Sequence, residues 1–84
     1  MGYHLYEVVS EKNCVVGLRV CRGRDWKWDY QDENGPGTIM EENYENRGWV
    51  SVKWDYQEES VFNYRVGSLD NNISRYDLYV YIDK

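Results

Sequence analysis

The chain has 84 residues, 17% of them aromatic, and a formal net charge of −5. That length suits one small domain and excludes two, with only about 60% of the unfolded chain's surface buried on folding. The acidic balance disfavours a phosphate backbone as partner, and no run approaches the roughly 20 apolar residues that span a bilayer, so neither nucleic acid nor membrane is expected as a partner.

Nine Tyr and four Trp accompany a sparse aliphatic complement. Each large ring can bury on the order of 150–250 Å², so some of them must build the core. Residues 1–13 read as a linker or an extra edge strand before a domain at 14–84. The start, Met1 to Ser10, lacks the basic region and long apolar run of a secretory signal. The sole histidine, His4, has no nucleophile beside it. Cys14 and Cys21 sit in apolar, strand-like contexts and read as small buried hydrophobes in a reducing compartment.

The first strand is expected around Val16, Leu18 and Val20, which alternate with Arg19 and Cys21 on the opposite side. Residues 23–37 then make the longest excursion of the chain. Its core is Arg22-Gly23-Arg24-Asp25-Trp26-Lys27-Trp28-Asp29-Tyr30-Gln31-Asp32, with rings at every second position. Gly35-Pro36-Gly37 is a turn signal, and a second strand is expected over residues 38–44. Residues 49–56 are the clearest strand: Val50, Val52, Trp54 and Tyr56 share one face, and Trp49 lies on the other. A further strand is expected over residues 60–66, then an irregular stretch over 67–74 with one helical turn. A last strand covers 76–82, with Tyr76, Leu78, Val80 and Ile82 on one face. Five short strands with tight turns predict an all-β fold, a small barrel of strongly bent antiparallel sheet with a long first loop. Long loops on rigid small barrels are common binding sites.

Catalytic patterns are missing. There is no Ser-His-acid or Cys-His arrangement, no Cys-x-x-Cys and no phosphate-cradling glycine loop. Asp32-x-Asn34-Gly35 fits part of a calcium-loop pattern, but Tyr30 would occupy the first ligand position. The expectation is a domain with no enzyme activity and no cofactor. Arg19, Arg22, Arg24 and Lys27 cluster either as a basic face for an acidic peptide or as a solvated mix of charges.

Three segments together resemble the Mind bomb/HERC (MIB) domain. They are Gly17-Leu18-Arg19-Val20-Cys21-Arg22-Gly23-Arg24-Asp25-Trp26-Lys27-Trp28 with Gln31-Asp32; Gly37-Thr38-Ile39 with Val50-Ser51-Val52-Lys53-Trp54-Asp55; and Asn63-Tyr64-Arg65-Val66-Gly67 with Tyr76-Asp77-Leu78. The chain departs from the family pattern where Glu33-Asn34-Gly35-Pro36-Gly37 is less glycine-rich and where Tyr56-Gln57 follows Trp54-Asp55. The resemblance implies an SH3-like β-barrel serving as an accessory module of a large ubiquitin-protein ligase. In the Mind bomb proteins such domains help to capture the cytoplasmic tails of Notch ligands. Catalysis there resides in separate RING or HECT domains. A chain of this length would then be a fragment of a cytoplasmic or nuclear ligase, monomeric by itself, with a protein or peptide substrate as partner.

The peptide-binding candidates are Arg24, Asp25, Trp26, Lys27, Trp28, Tyr30, Tyr64 and Arg65. Trp26 and Trp28 form either an aromatic wall for a peptide or a plug that braces the loop. Arg65 either grips a peptide carboxylate or pairs internally with Asp25 or Asp32. Two other functions fit the same residues. One is a structural docking domain using Trp49, Tyr79 and Tyr81. The other is a methyl-lysine reader whose cage would draw on Trp26, Trp28, Tyr64 and Asp25.

Overall fold

A computed structural model describes residues 6–42, 45–57 and 59–82; His4, the end of the second expected strand at Asn43 and Tyr44, Glu58 and the last two residues lie outside them. The described residues form six strands: β1 (Arg19–Arg22), β2 (Gly37–Glu42), β3 (Trp49–Trp54), β4 (Phe62–Asp70), β5 (Ile73–Tyr76) and β6 (Leu78–Val80). All pairings are antiparallel, in one sheet of order β5-β4-β3-β2-β1-β6. No described segment is a helix long and apolar enough to cross a membrane.

The sheet is curled but not closed into a barrel. Its two outermost strands, β5 and β6, are consecutive in the chain and joined by one residue, Asp77. That connection brings the two edges together around a single core. Alternation drives the packing: along β3, Val50, Val52 and Trp54 are buried while Trp49, Ser51 and Lys53 are only half-buried. Val20, Ile39, Tyr64, Val66 and Leu78 complete the interior. Val9 is buried with them, because Val9 N–H donates to Leu78 O at 3.0 Å and Val8 bridges Tyr79 beside β6.

Several sequence expectations change. Val16 lies in a turn and is exposed, and the strand begins only at Arg19, because Leu18 N–H turns back to Val15 O at 3.0 Å. Tyr56 leaves the Val50 face, since β3 ends at Trp54 and Gln57 N–H closes a turn onto Trp54 O. Residues 67–74 are neither irregular nor helical. Strand β4 runs on to Asp70 through a bulge between Val66 and Leu69, with Gly67 at φ 121°. The chain then reverses at Asn71-Asn72, whose φ values of 53° and 65° suit the two-residue turns that match strand twist. The last expected strand is split at Asp77, and its outer end, Ile82, is exposed. Neither free cysteine is disulfide-bonded; Cys14 is buried and Cys21 half-buried.

Candidate functional site: the loop between β1 and β2

Chemistry on the inner side of the loop begins at Asp77. This fully buried carboxylate accepts hydrogen bonds from Arg65 Nε at 2.9 Å, Arg65 Nη2 at 2.6 Å, the Arg65 backbone N–H at 2.8 Å and Trp28 Nε1 at 3.0 Å. Arg65 Nη2 also donates to the backbone oxygen of Asp25 at 3.0 Å. Arg65 is therefore paired internally, but its partner is Asp77 rather than Asp25 or Asp32. The hydrogen bonds to the Asp77 carboxylate raise the pKa of the Arg65 guanidinium, with burial opposing them. The Asp25 carboxylate instead accepts from the Tyr76 backbone N–H at 2.8 Å. Burial pushes the Asp25 carboxyl up, but that N–H and the cations of Arg24 and Arg75 outweigh it and hold it below the usual range.

The rings fill the space above this pair. Trp26 stacks on Tyr64 with centroids 5.1 Å apart and meets Trp54 edge-on at 5.7 Å. Trp28 meets Tyr64 edge-on at 6.1 Å. The polar tips are all used: Trp54 Nε1 donates to Tyr64 Oη at 2.8 Å, Tyr64 Oη donates to Gln31 Oε1 at 2.6 Å, and Trp26 Nε1 donates to Asp29 O at 2.9 Å. Burial pushes the Tyr64 hydroxyl up to about 12. Gly23 is held against the β5–β6 junction, where its N–H donates to Asp77 O at 2.6 Å and a Cβ would lie 2.6 Å from Leu78 N.

A second clamp fixes the far half of the loop. Arg22 donates from Nε and Nη2 to both oxygens of the buried Asp32, at 2.7 and 2.6 Å, and from Nη2 to Asn34 Oδ1 at 2.9 Å. Asp32 is thus committed to a guanidinium. The Arg22 guanidinium lies over the Trp26 ring at 5.4 Å and the Tyr30 ring at 5.8 Å.

These contacts divide the eight sequence candidates. Tyr64 and Arg65 are buried, and Asp25, Trp26 and Trp28 are half-buried with their polar atoms engaged inside the loop. The rings pack on one another and beneath the protein's own Arg22 and Arg65, which leaves a methyl-lysine reader without an open cage among the described residues. Arg24, Lys27 and Tyr30 face outwards, Tyr30 at 70% exposure. Lys27 Nζ sits 5.0 Å from the Trp28 ring centroid.

Two shallow hollows flank that rim. One, about 280 Å³, is lined by Arg22, Trp26, Lys27, Asp29 and Tyr30. Its neighbour, about 290 Å³, includes Arg22, Cys21, Gly35, Pro36 and Tyr81. Arg22 is common to both, so the two shallow grooves share one side chain as a wall. Arg22, Pro36 and Tyr81 were not among the eight peptide-binding candidates. Arg22 stood only in the basic cluster and Tyr81 only in the docking alternative, and the approach of Tyr81 to the loop depends on the curl of the sheet.

The Mib_herc2 family model matches residues 17–81. The chain belongs to this family. Over 57 residues, 68% of its length, it is 42% identical to the E3 ubiquitin-protein ligase Ufd4 of Drosophila melanogaster, and it covers 2% of that protein. It is 44% identical over 54 residues to the human E3 ubiquitin-protein ligase HERC2, of which it covers 1%. It is 44% identical over 61 residues to the E3 ubiquitin-protein ligase mind-bomb of Drosophila melanogaster, of which it covers 5%. The Mib_herc2 match contains the whole loop with its Arg22 and Asp77 anchors. This domain therefore occurs within ubiquitin ligases far larger than itself.

Proposed function

We propose that this Mib_herc2 domain is a non-catalytic peptide-recognition module through which a ubiquitin-protein ligase selects substrates. The catalytic domain lies elsewhere in the parent protein, in the cytoplasm or nucleus. The carrying observation is the division of the loop: a rigid inner side of paired charges and packed rings supports an outward rim of Arg24, Lys27 and Tyr30 over a groove. Preorganised rims cost little entropy on binding, and aromatic and cationic residues are favoured anchors. Arg19, Arg22 and Arg24 are paired with Asp55, Asp32 and Asp25, so among the described residues Lys27 is the cation that the rim offers to an acidic peptide. The SH3-like barrel remains the proposed parent architecture, supported by a sheet curled until one residue links its edges.

Titrating the isotope-labelled chain with acidic and basic peptides from candidate substrates tests the reading. Shifts at Lys27, Tyr30 and the indole of Trp26, abolished by Lys27→Ala with Tyr30→Ala, are expected. If no peptide moves these resonances, the recognition role fails and internal docking takes its place. Tyr79 is already covered by Tyr6, with ring centroids 5.1 Å apart, which weakens the flat docking surface that reading needs.

A further inference from the structure

At the start of β3 the molecule has another hollow, of about 190 Å³. That is smaller than the roughly 300 Å³ at which small-molecule pockets begin, and it suits one inserted side chain. Cys14 and Val66 supply buried apolar lining, and Trp49 gives an aromatic wall. Around them, among the described residues, stand the carboxylates of Glu11 and Glu42 and the guanidinium of Arg47. Burial raises the pKa of the Cys14 thiol first, and the nearby charges of Glu42 and Glu11 raise it further while a backbone hydrogen bond lowers it.

We propose that this hollow is a second binding site that takes the cationic side chain of a lysine or arginine from a partner peptide. The alkyl stem of such a residue lies against Trp49 and Val66, and its charged head meets Glu11 in the field of Glu42. Apolar and aromatic lining beside two carboxylates matches an amphipathic cation better than an anion or a purely apolar group. The site is independent of the loop reading. Trp49 lines this hollow at the start of β3, whereas Trp54, which packs on Trp26 of the loop, ends the strand about 17 Å away at the usual rise of an extended strand.

The test uses the labelled chain and capped tripeptides, Ac-Gly-Lys-Gly-NH2 and Ac-Gly-Arg-Gly-NH2, with norleucine and glutamate versions as controls. The cationic peptides should shift the amides of Gly48 and Val66 and the indole of Trp49, and the norleucine and glutamate peptides should not. Glu11 is exposed, so Glu11→Gln leaves the fold intact and should weaken the cationic peptides about two- to fivefold. Arg47→Ala should strengthen them by a similar factor. Equal shifts with norleucine, or affinities unmoved by both substitutions, would overturn the proposal. Resonances of Lys27 and Tyr30 report the loop separately, so failure at one site does not imply failure at the other.

Discussion

The two sides of the loop between β1 and β2 are built from the same residue types with opposite consequences. On the inner side, Arg65 meets a carboxylate with no exposed surface and gives it two side-chain hydrogen bonds. On the outer side, Arg24 meets Asp25 at 3.3 Å while more than half exposed. A buried charge that loses its partner is left uncompensated, whereas an exposed ion pair is screened and contributes little. The aromatic residues divide in the same way. Trp26 and Trp28 support Tyr64, while Tyr30 has most of its ring in solvent. Residue type therefore does not decide which part of the loop is left open to solvent; burial decides it.

The strongest challenge to this division is Asp77→Ala, which leaves Arg65, of its ion pairs, only the longer one with the partly exposed Asp70 at 3.5 Å and frees Trp28 Nε1. Such a loss costs about 3–5 kcal/mol, much of the roughly 4–12 kcal/mol expected for a domain of this length. Urea unfolding should show a large drop in midpoint or no folded baseline. If the variant were as stable as the parent, the inner side would not be the support of the loop.

Alkaline pH tests the same side through Tyr64. Its folded value of about 12 exceeds the ordinary value of 10.0. Stability from the neutral hydroxyl is thus fully present below pH 10 and is lost as pH rises towards 12. The loss amounts to about 2–3 kcal/mol by linkage. Chemical denaturation across that window should show the decline in the parent and a smaller one in Tyr64→Phe.

A smaller effect is expected at Arg22→Ala. Asp32 would keep the Asn34 backbone N–H at 3.2 Å but lose its cation, at a cost of about 1–3 kcal/mol. Thermal unfolding measures this, and peptide titration should show both grooves disrupted at their shared residue.

The outer side should respond least in stability. Lys27→Ala and Tyr30→Ala should each change it by no more than about 0.5 kcal/mol while weakening peptide binding. A matching loss of stability would place these residues with the inner side and remove the distinction.

Local pattern made much of this legible. The alternation in β3 identified Val50, Val52 and Trp54 as core, and all three are fully buried. The stretch from Arg22 to Asp32 was recognisable as a loop from its position between two strands and Gly35-Pro36-Gly37. The β4–β5 hairpin was missed because Asn71-Asn72 reads as generic polar turn chemistry unless the left-handed φ values are known. In the site, internal pairing of Arg65 was foreseeable from the needs of a thin core, but the identity of its partner was not.

The sequence by itself determined the all-β class, the core face of β3 and membership of a family marked by short ordered motifs, because each of these is written in neighbouring residues. Tertiary structure alone decided that Trp28 reaches Asp77, 49 positions away, and that Tyr81 lines a groove with Pro36. Such contacts depend on how far the sheet curls. That curl is set by the combined twist, bulge and packing of all the strands, and no single segment of sequence contains it.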